Sequence, residues 1–120
     1  MDLTSPLLDP APLQSLYILP GGKEAVVELI GIVEEDVPMR LNLIREFLAE
    51  GRFKDAGIEA HSLKGGAGNM GLRRFAEVAK ALEFRLRDED APDCEDLLSA
   101  LGELYPPSLE ALKTAFPPED

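Results

Sequence analysis

The chain has a single histidine, His61, three residues before Lys64 and next to four glycines packed into seven positions: Gly65, Gly66, Gly68 and Gly71. An imidazole changes charge near neutral pH, so its free base is on hand there as a nucleophile. Attack on a phosphoryl group gives phosphohistidine, a covalent intermediate. The oxygens of the transferring group carry negative charge, and a cation one helical turn along, as Lys64 would be, can stabilise it. The second ring nitrogen must then be held so that the free one points outward. A carboxylate or amide on a neighbouring element can do that.

Other chemistries fit less well. His61-Ser62 invites a base-and-nucleophile reading, but sequence neighbours on a helix diverge by about 100°. No third group or oxyanion site accompanies them. One histidine and one cysteine, His61 and Cys94, make no credible metal cage. Gly66-Ala-Gly68-Asn-Met-Gly71 matches the dinucleotide pattern G-x-G-x-x-G. That loop must follow a strand and open a helix, and here a helix precedes it. The 23 acidic residues are spread along solvated faces and read as solubility.

The element that positions His61 is a helix over about 52–69. Phe53, Ala56, Ala60, Leu63, Ala67 and Met70 recur at steps of three and four, one apolar stripe. His61 lies off that stripe, in a row with Gly57, Gly65 and Gly68. Interior glycines cost roughly 1 kcal/mol each relative to alanine, so Gly57, Gly65, Gly66 and Gly68 together cost about 3–4 kcal/mol. Against a total stability of roughly 5–15 kcal/mol, that is a large concession. One reading ends the helix near Lys64 and makes the glycines loop. The other keeps the helical phase of Leu63, Ala67 and Met70 and clears the flank so that a second protein can approach the imidazole.

The rest of the chain reads as helices too. With 120 residues there is material for one domain with one modest core. The net charge of −11 argues against nucleic acid and anionic membrane as partners, since both require basic surface. Residues 1–8 carry no Lys or Arg and no apolar run approaches the roughly 18 residues a membrane span needs. With the lone Cys94, this leads us to expect a cytoplasmic protein, and its first and last residues to expect a free-standing one. Residues 1–11 read as a flexible leader, 12–116 as the folded domain and 117–120 as a disordered tail. Pro12 opens a short helix with Leu13, Leu16, Tyr17 and Leu19 on its apolar side. Residues 23–50 form a long helix on Val26, Leu29, Val33, Val37, Leu41, Ile44 and Leu48, kinked at Pro38 and ended by Gly51. Residues 72–88 carry Leu72, Phe75, Ala79, Leu82 and Leu86. The last helix starts near Pro92 or Asp93 on Leu97, Leu98, Leu101 and Leu104. Pro106-Pro107 is expected to break or sharply bend it, with Ser108 capping a short final helix. No strand pattern or repeat is present. The fold class is all-α: an antiparallel up-down four-helix bundle with a short additional N-terminal helix.

Ala60-His-Ser-Leu-Lys-Gly-Gly-Ala-Gly-Asn-Met-Gly-Leu72 closely resembles the signature of histidine phosphotransfer (HPt) domains of bacterial multistep phosphorelays. Leu16–Gly22, Glu28-Leu29-Ile30 and Ala81-Leu82-Glu83 are similar to weaker family features, so the likeness covers about 12–104. It implies that His61 accepts a phosphoryl group from a receiver-domain aspartate and passes it to another receiver. Lys64 would sit beside that group, and Gly65, with Gly57 and Gly68, would leave room for the receiver. Glu83 falls where the family often has Gln or Glu able to orient the ring, and Arg87 where some members carry a basic residue. In the family Mg²⁺ belongs to the receiver, so neither metal nor other cofactor is expected here, nor an ATP site or autonomous enzyme activity. The expected partners are response-regulator receiver domains and a hybrid histidine kinase, met by a monomer. Lys64, Arg73, Arg74, Lys80, Arg85 and Arg87, six of the twelve basic residues, would favour encounter with an acidic receiver site. The alternative is a binding-only helical module that docks to a receiver or kinase and inhibits it, His61 being incidental.

Overall fold

The structure, a computed structural model, describes residues 6–88 and 93–118. Five helices follow in order: α1 (Ala11–Tyr17), α2 (Gly22–Ala49), α3 (Phe53–Asn69), α4 (Arg73–Leu86) and α5 (Cys94–Ala115). Among the described residues there is no strand. Each long helix packs on the next, and α5 returns to α2, which closes a four-helix bundle; α1 lies against α2.

The turns on either side of α3 share one chemistry. After α2, Gly51 takes φ +72°, with hydrogen bonds from Gly51 N–H to the Leu48 carbonyl and from Arg52 N–H to that of Phe47. After α3, Gly71 takes φ +81°, with Gly71 N–H on the Gly68 carbonyl and Leu72 N–H on that of Ala67. Both are Schellman caps, in which a left-handed glycine reverses the chain in two residues. So short a turn leaves α2, α3 and α4 no choice but antiparallel packing. The helix also runs through Gly65, Gly66 and Gly68 to Asn69, so these glycines are helical and not loop.

The core follows the apolar stripes. Val26, Ile30, Val33, Val37, Leu41 and Ile44 of α2 are buried. Ile30 takes the place expected for Leu29, which with Leu48 is only partly covered. From α3 come Ala56, Ala60, Leu63 and Ala67, and from α4 Phe75, Val78, Ala79, Leu82 and Leu86. Three of the four α3 residues are alanines, so this helix sits close to its neighbours. Leu13 anchors α1, while Leu19, expected on its apolar side, is exposed. Tyr17 stacks edge-to-face on Phe116 at 5.2 Å and its hydroxyl donates to the Pro117 carbonyl at 2.8 Å, so the start of the expected tail is engaged. The expected leader is likewise tied down at its end: Asp9 N–H donates to the Gly71 carbonyl and Arg73 N–H to that of Leu7. Residues 1–5, 89–92, 119 and 120, with the expected start at Pro92, lie outside the described residues.

Pro106-Pro107 does not break the last helix. α5 is continuous from Cys94 to Ala115, through Pro106 and Pro107. Two missing N–H groups orphan the carbonyls of Gly102 and Glu103, both at exposed positions where solvent can serve them. On the opposite side Leu101, Ser108 and Leu112 are buried in one phase, and that packing carries the helix across. Ser108 is therefore not a cap. It is fully buried in mid-helix, and its Oγ has no hydrogen-bond partner. Asp93 stands at the N-cap of α5, near the expected start, but its side chain makes no capping bond and pairs with Arg85 at 3.1 Å. α2 continues through Pro38, as its unbroken apolar phase led us to expect. The carbonyl Pro38 leaves without its i+4 donor is that of Glu34, and Tyr105 Oη of α5 stands 3.5 Å from it. Lys113 Nζ reaches the Glu34 carboxylate at 3.1 Å, so α5 straps the proline site of α2 twice.

Candidate functional site

His61 lies near the middle of α3 and its side chain is 66% exposed. Glu83 faces it from α4, its carboxylate only 13% exposed. Glu83 Oε2 is 2.7 Å from His61 Nδ1 and Oε1 is 2.8 Å from Lys64 Nζ. One carboxylate thus spans two residues a helical turn apart, an oxygen for each.

Burial pushes the Glu83 carboxyl up, but the hydrogen bonds from Lys64 and His61 and their charges outweigh it, and the group sits below its ordinary range. An ionised carboxylate can only accept hydrogen bonds. Nδ1 therefore carries the ring proton in this contact, and the neutral ring leaves the Nε2 lone pair free. A charge-assisted hydrogen bond of this kind contributes roughly 1.5–3 kcal/mol. The ring is thus held by its inner nitrogen while most of it remains in solvent.

Three of the four helical glycines of α3 border open space. A Cβ at Gly65, Gly66 or Gly68 would meet nothing within 4 Å, and one at Gly57 would lie 3.9 Å from Leu86 Cβ, an ordinary contact. Nothing inside the chain requires these four to lack side chains. On the N-terminal side of His61 the α3–α4 junction opens into a groove of about 530 Å³, lined by Phe53, Lys54, Gly57, Ile58, His61, Ser62, Glu83, Leu86 and Arg87. Ile58 is 57% exposed there.

The expected site residues do not all gather. His61, Lys64 and Glu83 touch as a trio, and Gly57 and Arg87 flank the groove. Lys64 pairs with Glu83, so its ammonium stands on the carboxylate that also holds the His61 ring. The six basic residues do not form one face either. Arg87 lines the groove with His61, but Lys80 and Arg85 face the α4–α5 side around exposed Phe84. Lys54 and Ile58 were missed from sequence; both sit in the His61 row, Lys54 two turns upstream. Among the described residues, no group of three or more His, Cys, Asp or Glu could hold a metal, and no helix is long and apolar enough to cross a membrane.

The structure is thus a closed helical bundle that presents one exposed histidine held through Nδ1. The Hpt domain family model matches residues 28–115, well over half of the chain, and the chain belongs to the Hpt domain family. The match begins inside α2, so α1 lies outside it. No curated protein and no solved structure matches significantly.

Proposed function

We propose that this protein is a histidine phosphocarrier of a two-component phosphorelay, with His61 as the acceptor. The observation that carries this reading is the 2.7 Å contact of Nδ1 with the Glu83 carboxylate on a ring that is otherwise exposed. The Nε2 lone pair attacks phosphorus in the aspartyl phosphate of a receiver. The N–P bond forms, the acyl O–P bond breaks, and the electron pair of that bond returns to the aspartate carboxylate. The ring keeps its Nδ1 proton and becomes cationic, and Glu83 stands where that charge develops. The reverse sequence delivers the group to a second receiver. The cleared Gly65–Gly68 flank admits the receiver surface. The chain acts without an ATP site of its own, as a cytoplasmic monomer, and draws its phosphate from a receiver or a hybrid kinase.

The test is incubation of the full chain with a phosphorylated receiver, one receiver at a time across a panel. Label should move to this chain, be lost in acid, persist in base, and be absent from His61→Gln. Label that persists on His61→Gln rejects His61 as the acceptor. A tight complex indifferent to that substitution, with no transfer by the parent chain, instead identifies a binding-only inhibitor.

A further inference from the structure

We propose that residues 7–9 are a clasp that caps the α3–α4 hairpin from outside and, through it, keeps Glu83 in register with His61. The clasp serves the site of the proposed carrier, but its physical part does not depend on phosphotransfer.

Three observations carry it. First, α4 has no side-chain cap of its own. Its N-cap residue is Leu72, which offers no acceptor to the free N–H groups of a first helical turn. The leader supplies one: Arg73 N–H is shared between the Leu7 carbonyl at 3.1 Å and the Gly71 carbonyl at 2.9 Å. Asp9 N–H in turn donates to the Gly71 carbonyl at 2.8 Å, so residues 7 and 9 bracket the turn. Second, the fit is tight. Met70, Gly71 and Leu72 are buried, and a Cβ on Gly71 would collide with the Asp9 carbonyl oxygen. Backbone groups buried in this way need partners, and the leader provides them. Leu8 packs on the core, and the Asp9 carboxylate accepts Ala11 N–H at 3.0 Å, which joins the clasp to α1. Third, the stretch of α3 that ends at the turn is rich in glycine. Gly65, Gly66 and Gly68 follow Lys64, each costing roughly 1 kcal/mol of helix relative to alanine. The carbonyls of Gly66, Ala67 and Gly68 are taken by the N–H groups of residues 70–72, so the clasp grips the residues that finish this weak stretch.

The turn is the near end of a lever. His61 lies ten residues before Gly71 and Glu83 twelve after it, about 15–18 Å along their helices. A tilt of roughly 10° about the turn would move a contact that far out by about 3 Å. The 2.7 Å contact of Nδ1 with Glu83 does not survive such a shift. Residues 7–9 precede the matched range 28–115, so the clasp is a feature of this chain outside the matched domain.

Asp9→Pro removes the N–H that donates to Gly71, while Asp9→Ala keeps that N–H and loses only the carboxylate. In the full-length chain, Asp9→Pro should make the amides of residues 65–72 exchange with deuterium about tenfold faster or more. Asp9→Ala should leave them within about twofold of the parent. The amides of α2 and α5 should be unchanged in both. The two-bond ¹H–¹⁵N spectrum of the imidazole, taken above its titration range, reads the site itself. The parent should show the Nδ1–H form, and Asp9→Pro a mixture with the Nε2–H form. Leu8→Ala, a milder loosening that keeps every N–H, should give the same local pattern at smaller amplitude. Faster exchange spread evenly over all five helices, in Asp9→Pro and Leu8→Ala alike, overturns the proposal, since that is the mark of general destabilisation. So does an imidazole that keeps the Nδ1–H form when the clasp is cut. Both readouts are taken on the unphosphorylated chain, so they decide the clasp even where the transfer test rejects His61 as the acceptor.

Discussion

At the scale of single residues, Glu83 is the group whose charge the site depends on. It is half of an ion pair and the anchor of the imidazole at once, and burial alone would push its carboxyl up. Its carboxyl lies below the ordinary value of 4.5 in the folded chain, because Lys64 and His61 outweigh that burial. A carboxyl depressed on folding adds stability that is fully present above the unfolded value and is lost as pH falls through the folded one. Acidification from near 4.5 downward should therefore destabilise the parent chain in part through Glu83. Glu83→Gln keeps an acceptor for Nδ1–H but has no charge to lose. It should cost about 1 kcal/mol at neutral pH and show a flatter stability profile in the acid window. Urea denaturation at stepped pH measures both. An equally steep acid profile in Glu83→Gln would show that other carboxylates carry the whole effect. The sequence contains a hint of the contact. His61 and Glu83 are 22 residues apart, with Leu72 midway between them. An antiparallel hairpin that turns at Gly71 brings equidistant residues face to face. What the sequence does not show is which cation Glu83 keeps, because that is settled by side-chain reach across the helix pair.

At the scale of elements, the glycines divide into two kinds that the sequence does not distinguish. Gly71 is needed by the fold: its φ of +81° is left-handed, and a Cβ there would run into the carbonyl oxygen of Asp9. Gly65 and Gly68 are helical, and a Cβ at either would meet only open space. Alanine at each should therefore raise helix stability by up to about 1 kcal/mol, whereas Gly71→Ala should lose about 2 kcal/mol or more, from the left-handed strain and the clash together. If the flank is kept clear for a receiver, Gly65→Ala/Gly68→Ala should also transfer more slowly while melting higher. Thermal melts paired with transfer assays separate the two effects. A double variant both more stable and fully active would remove docking clearance as the reason for these glycines. The stripes of α2, α3 and α4 were legible because each buries one face of a regular helix. Pro106-Pro107 misled for a physical reason: a proline pair reads as a stop wherever the lost hydrogen bonds must be replaced. Here they open onto solvent while Leu101, Ser108 and Leu112 hold the other side. The phase of those buried positions was in the sequence, hidden by a serine in an apolar place.

At the scale of the whole molecule, charge is the dominant asymmetry. Twenty-three acidic residues face twelve basic ones, a net of −11. Among the described residues, the ion pairs that bind elements together, such as partly buried Arg40 with Glu59 at 2.9 Å and exposed Lys113 with Glu34 at 3.1 Å, are few. An exposed pair contributes about 0–1 kcal/mol, and salt weakens it. Salt weakens the repulsion among the unmatched carboxylates as well, and these are spread over a body 49 Å long. The screening length is about 10 Å at 0.1 M salt, so most of that mutual repulsion is removed at moderate ionic strength. Self-repulsion of a strongly charged chain opposes the compact state, and the excess of eleven acids outweighs the scattered pairs. The urea midpoint should therefore rise from low to moderate sodium chloride, at neutral pH and without a change in slope. The groove that His61 lines has the opposite local balance, with Lys54 and Arg87 against the one acidic residue Glu83. Transfer from an acidic receiver site should accordingly slow over the same salt range in which the fold becomes more stable. A chain that loses stability as salt is added would mean that its few ion pairs, and not its excess of carboxylates, govern the electrostatics of folding.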